Sequence, residues 1–169
     1  RQDHQEEGQD QEEAGQVLHG MTRWVGKYFT DDEFECQCRC GANLVHLRLV
    51  EILDKARRKL GVPLEVSSGV RCMLHNRSVG GRPNSYHQPQ TLAVDGSKID
   101  LGLASDITFA QRHLRQPINI IRLYTLLESY ARPTSIGLGL YPTWVHIDVR
   151  GVVGKSPARW DESFPWPRL

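Results

Sequence analysis

No apolar run in the 169 residues approaches the roughly 20 that a membrane helix needs, so no membrane span is expected. The first twenty residues are polar and acidic and lack the apolar core of an export signal. Because the chain begins at Arg1, export stays open as a possibility. No internal repeat is present, which removes solenoids and propellers. The C-x2-C pair of a zinc finger is missing too. The four cysteines are instead Cys36, Cys38 and Cys40, in the run CQCRC, and the distant Cys72. Alternate residues of a strand point the same way, so the three close thiols are able to share one face. Buried small hydrophobes or one structural disulfide is the preferred reading, and a soft-metal site the lesser one. Whether any bridge forms depends on the compartment.

Strong charge of one sign is also lacking, but the net +1 hides an asymmetry. One arginine against six acids gives −5 over residues 1–20, which leaves +6 for the remainder. The Gln-rich acidic stretch 1–20 is expected to be a disordered tail. Residues 21–169 are expected to form a single domain, a length sufficient for a full core. A basic body attracts polyanions, cell wall and nucleic acid among them. The nucleic-acid reading rests only on that charge and on Arg57-Arg58-Lys59, read as the solvated face of a helix, so no nucleic-acid partner is expected.

Along the chain, Val17 to Lys27 is mildly amphipathic, and Thr30 with Glu33 reads as a capping box opening a helix. Apolar residues recur at helical spacing from Asn43 to Leu60, with basic residues at the end, then Gly61 and Pro63 as stop signals. Leu64 to Ser68 alternates as a strand, and Arg71 to Val79 reads as a short helix or turn. Gln88 to Asp100, with Asp95-Gly96 at its centre, reads as an inserted loop or hairpin. Ala104 to Thr108 is a strand, Pro117 to Tyr130 a helix, and Ser135 to Tyr141 a Gly-punctuated strand. Trp144 to Val149 alternates again, and the end from Gly151 is expected to wrap the surface. Helices and strands with short antiparallel links make α+β with a small antiparallel sheet the expected class.

Two imidazoles and one carboxylate, with a fourth position left to water, are a ligand set for catalytic zinc. His87, Asp106 and His146 are the candidates, each at the edge of a short apolar or turn-rich run. His146 and Asp148 share a face of the last strand. Asp148 is therefore placed either to reach a metal-activated water or to orient a ligand. Ser85 is placed to fix the His87 loop, and Arg71 to grip a carboxylate at the rim. Taken singly, each histidine is an ordinary surface residue and Arg71 an ordinary ion-pair partner.

Taken jointly, these segments resemble the zinc D-alanyl-D-alanine carboxypeptidase and murein endopeptidase family, whose fold is shared by phage endolysins and the Hedgehog signalling domain. The resemblance is carried by Ser68-Gly69-Val70-Arg71, His75-Asn76, Pro83 to His87, Gly102 to Ile107 and Gly137 to Arg150, with EFECQCRCG before them and Pro157-Ala158-Arg159-Trp160 after. It implies a Hedgehog-like fold, Zn2+ held by His87, Asp106 and His146, and a substrate in the peptide stem or crossbridge of peptidoglycan. It further implies that Arg71, Ser85 and Tyr141 contact substrate and that a carboxylate moves the proton of the attacking water. The protein would act as a monomer at the cell wall, in a periplasm or delivered by a phage; a non-catalytic wall-binding or tail module of the same fold is the alternative. Two departures stand out. Residues 88–101 separate His87 from Gly102, tolerable where the excursion has close ends. Thr143 stands where many relatives carry the catalytic carboxylate, which leaves Asp148 as the substitute base.

Overall fold

The computed structural model describes residues 22–130 and 135–162. The tail expected over 1–20, the first part of the 17–27 segment and the last residues of the chain lie outside them.

The helix read over 43–60 is α1, Leu47–Leu60. His46 caps it, its Nδ1 accepting the Arg48 N–H at 3.1 Å, and Gly61 closes it with φ 69° and a bond from its N–H to Arg57 O. Strand β1 (Leu64–Ser68) follows, then a six-residue helix, α2 (Met73–Ser78). The 88–100 segment is a hairpin of β2 (Gln90–Val94) and β3 (Ser97–Leu101). Its turn is Asp95-Gly96, with φ 48° and 82°, the doubly left-handed pair that a tight hairpin requires. Gln90 pairs with Leu101, so the excursion leaves and returns at neighbouring points. Strand β4 (Ala104–Phe109), helix α3 (Pro117–Ser129) and strands β5 (Gly137–Leu140) and β6 (Val145–Asp148) come where the patterns place them.

Several expectations need correction. Thr30 and Glu33 do form half a capping box, Glu33 accepting the Thr30 N–H at 2.8 Å. The helix they open is one 3-10 turn, Asp32–Phe34, because the chain turns at once into the cysteine run. That run is itself a turn and not a strand. The end of the chain does more than wrap the surface: Ala158–Asp161 forms β7, which pairs in parallel with β5. The main sheet, ordered β1-β4-β6-β5-β7, is thus mixed and not wholly antiparallel. A parallel partner has no short-range signature, since its register is set by a crossover and not by a hairpin turn.

One face of this sheet turns Leu64, Ile107, Phe109, Leu138, Val145 and Ile147 into the core, where they join Leu49, Leu53 and Ala56 of α1 and Ile120, Leu123 and Leu127 of α3. Arg57 is not part of a solvated basic face: it donates to Tyr28 O at 2.9 Å and lies over the rings of Tyr28 and Phe29. Truncating Leu53, which is fully buried, to alanine should cost about 2–5 kcal/mol. Urea unfolding checks this: the midpoint should fall while the m-value stays put.

Candidate metal centre

Asp106 on β4 and His146 on β6 are direct cross-strand partners, so both side chains rise from one face of the sheet. The row continues to Ser68 on β1, Gly139 on β5 and Trp160 on β7. One line of residues therefore crosses all five strands. Their neighbours Ile107 and Ile147 turn the opposite way into the core, so the alternation that buries the sheet also lifts the site residues out of it.

Gly139 is the gap in that row. A Cβ there would stand 2.3 Å from the Trp160 ring. Without one, the indole crosses the glycine to lie 5.1 Å from the His146 ring, centroid to centroid. The Trp160 N–H donates to Tyr141 Oη at 3.1 Å, and Tyr141 stacks on Trp144 at 4.7 Å. Aromatic rings thus wall one side of His146.

His87 arrives from the loop before the hairpin. Its carbonyl accepts the Arg71 N–H at 2.8 Å, and its own N–H donates to Ser85 Oγ at 3.3 Å. Its Nδ1 lies 2.7 Å from the Gly69 carbonyl oxygen. A carbonyl only accepts, so Nδ1 carries the proton and Nε2 presents its lone pair. The loop is held from behind by Asn76, buried and donating to Arg82 O at 2.9 Å.

The three candidate ligands converge. His87 Nε2 to His146 Nδ1 is 3.2 Å, His146 Nδ1 to Asp106 Oδ1 is 2.9 Å, and His87 Nε2 to Asp106 Oδ1 is 3.3 Å. Atoms bound at about 2.0–2.1 Å to a tetrahedral zinc stand about 3.3 Å apart. The triangle matches that spacing, and its donor set suits a borderline-soft divalent ion.

Each ligand has a partner behind it. Arg71 Nη2 donates to Asp106 Oδ2 at 2.7 Å, and its Nε donates to Ser68 Oγ at 2.9 Å. His146 Nε2 faces Asp148 Oδ2 at 3.2 Å. Asp148 is fully buried and held by Arg150, whose Nη2 and Nε donate to its two oxygens at 2.6 and 2.8 Å. The N–H groups of Gly137 and Arg150 also donate to Oδ1. Burial by itself would raise the Asp106 carboxyl, but the hydrogen bond from His146 holds it well below the usual carboxylate range. Burial would raise Asp148 as well, and Arg150 holds it low. Burial pushes His87 down, toward the neutral form a ligand needs. It presses His146 the same way, yet the bonds to Asp106 and Asp148 outweigh it and hold that imidazole above its ordinary value.

Residues 27–148 match the family model described as peptidase M15. The chain belongs to the peptidase M15 family. No curated protein and no solved structure matches it. M15 peptidases are zinc-dependent, and in this member His87, Asp106 and His146 form a group able to hold zinc.

Within this M15 peptidase Asp148 faces His146 and Arg150. Both its oxygens are engaged, and it meets Nε2 of His146, whereas Nδ1 faces the other two ligands. The alternative placement, orienting a ligand, is the one its contacts describe. Arg71 grips a carboxylate, as its position suggested, but that carboxylate is Asp106 of the same chain. Ser85 holds the His87 loop. Thr143 is exposed and offers no carboxylate. Sequence reasoning did not assign roles to Arg150, the Gly69 carbonyl or Trp160. Arg150 had a usable signal, two places beyond Asp148 in the run His-Ile-Asp-Val-Arg; the other two depend on tertiary contacts.

Two predictions concern this centre. In metal-free protein, NMR titration of the imidazole resonances should place His146 above and His87 below the ordinary value of about 6.5. Asp148→Asn should bring His146 down, since the protonated ring loses its buried anionic partner. A midpoint for His146 below that of His87 would contradict the arrangement. Gly139→Val should displace Trp160 from His146, read as a change in tryptophan fluorescence and as a roughly 10–100-fold loss of zinc affinity.

Proposed function

We propose that this M15 peptidase hydrolyses peptide bonds in the stem or crossbridge of peptidoglycan, acting as a monomer at the cell wall. On this reading residues 21–169 are one catalytic domain of Hedgehog and DD-peptidase type, 1–20 a disordered appendage, and delivery is periplasmic or by a phage. The observation that carries the reading is the closed triangle of His87, Asp106 and His146 on a face of the sheet turned away from the core. The +6 charge of residues 21–169 supports attraction to an anionic wall polymer.

When bound by His87, Asp106 and His146, zinc would supply a water with its pKa lowered to about 7 and would polarise the scissile carbonyl. The chain's own residues set the conditions. Asp106 would enter as the anionic ligand, held low by the His146 hydrogen bond and paired with Arg71. His87 is locked by Gly69 into the tautomer that offers Nε2. Asp148 and Arg150 fix the His146 ring from behind, so Asp148 serves as a positioning residue. Arg71, which contacts both Asp106 and His87, is assigned to donate to a carbonyl oxygen gaining charge. Ser85, which accepts the His87 N–H, and Tyr141, which accepts the Trp160 N–H, are assigned to substrate. Carboxypeptidase and endopeptidase action differ in whether a terminal carboxylate must be seated, and Arg71 is the candidate for that contact.

The test is release of new amino groups from purified peptidoglycan. His146→Ala should abolish it, and Asp148→Asn should lower it about 10–100-fold while weakening zinc. Arg71→Lys should cost about 10²–10³ in kcat with zinc retained. Thr143 and the engaged state of Asp148 favour a second reading, a wall-binding module that holds zinc without cutting. Wild-type protein that binds wall and zinc yet releases no amino groups would establish it.

A further inference from the structure

The second cluster of ligating side chains lies outside this centre. Cys36, Cys38, Cys40 and Cys72 bring four Sγ atoms within 4.8 Å of one another. The arrangement is a gathering and not two pairs: Cys38 Sγ is 3.3 Å from Cys36 Sγ and 3.6 Å from Cys72 Sγ. Disulfides join sulfurs two by two at about 2.0 Å, and all four cysteines are free thiols. Four sulfurs at about 2.3 Å from one tetrahedral zinc would stand about 3.8 Å apart, close to the spacing seen. Nor are these cysteines buried small hydrophobes as a set, because Cys38 and Cys40 are exposed and only Cys36 is buried.

The backbone is shaped around the cluster. Arg39, between two of the cysteines, takes φ 57°, and Gly41 takes φ 80°. Arg39 N–H closes the turn on Cys36 O at 2.7 Å. A left-handed arginine is uncommon, and here it curls the C-x-C-x-C run so that its thiols meet a residue 32 positions beyond Cys40. Two backbone N–H groups point at sulfur: Cys72 N–H at Cys36 Sγ (3.4 Å) and His75 N–H at Cys72 Sγ (3.3 Å). N–H groups aimed at sulfur stabilise thiolate, the form that binds metal.

We infer that Cys36, Cys38, Cys40 and Cys72 form a second zinc site, closed and structural, distinct from the His-Asp-His centre. With four protein ligands no position is left for water or substrate, which separates it from a catalytic ion. On binding, the four S–H protons go to solvent as four Zn–S bonds form, with no redox change. The site ties the 36–41 turn to the N-terminus of α2. Nearby contacts run the same way: Val70 N–H to Phe34 O at 2.8 Å and Gln37 Nε2 to Ser67 O at 2.7 Å. A Cβ on Gly69 would meet Phe34 O at 2.4 Å. The segment so clamped contains Gly69 and Arg71, the residues that aim His87 and Asp106. The inference stands whether or not the protein cuts peptidoglycan.

The test is metal content of the full-length chain purified reduced, without chelator, together with absorption of the Co(II)-substituted protein. Wild type should hold about two zinc equivalents, and His146→Ala and Cys72→Ser about one each, by the ligand sets of the two sites. The Co(II) protein should show intense thiolate-to-metal charge transfer that survives His146→Ala and disappears in Cys72→Ser. Should Cys72→Ser fail to fold, the wild-type cobalt spectrum and the His146→Ala zinc count decide alone. One zinc per chain with no charge-transfer band would overturn the inference. So would an intact mass showing that thiol hydrogens are lost to disulfides in the protein as isolated from its native source.

Discussion

The Asp106 carboxylate is the point on which the structure turns. It sits largely out of solvent, where an unpaired charge is costly, and three side chains converge on it: Arg71, His87 and His146. These come from the loop after β1, the loop before the hairpin and the strand β6. Removing one partner of such a buried pair leaves the other uncompensated, so the carboxylate holds three segments in one geometry. That constraint also explains why Arg71 is turned inward. Its guanidinium supports a ligand before it can do anything for a substrate.

Behind this point the sheet acts as a ruler. Asp106 and His146 are ladder partners, so their separation is set by backbone hydrogen bonds and not by flexible loops. The same pairing places Asp148 beneath the His146 ring and Gly137 beside Asp148, where a Cβ would stand 2.2 Å from the carboxylate. The two glycines of β5 therefore serve different neighbours. Gly137 makes room for the Asp148–Arg150 pair, and Gly139 makes room for Trp160. The edge strand β7 thereby contributes a ring to the centre.

The cysteine turn stands opposite this sheet-built order. It has few regular hydrogen bonds of its own, and it presses on the segment 67–72 through Phe34, Gln37 and the thiols. A loop that must hold Arg71 and the Gly69 carbonyl in place needs a restraint that secondary structure does not supply there. A cross-link of four sulfurs supplies one, and cross-links that close long stretches of chain restrict the unfolded ensemble most.

Much of the local structure was legible from residue order. The periodicity of 47–60, closed by Gly61 and Pro63, and the Asp-Gly turn of the inserted hairpin are encoded by neighbours within a few residues, because caps and left-handed turns are local physics. The alternation in 145–148 marked His146 and Asp148 as sharing a face for the same reason. The M15 relationship and the identities of His87, Asp106 and His146 were also within reach, since the wording around each is short and ordered. What each residue does to the next was decided only in three dimensions. Arg150 and two backbone N–H groups occupy the oxygens of Asp148, and Arg71 faces inward because β4 brings Asp106 to it. Cys72 joins CQCRC, and Trp160 reaches His146, through chain crossings that leave no periodic trace. Sequence patterns report the faces of single elements; which faces meet, and so which proton or metal each side chain serves, depends on packing among distant parts of the chain.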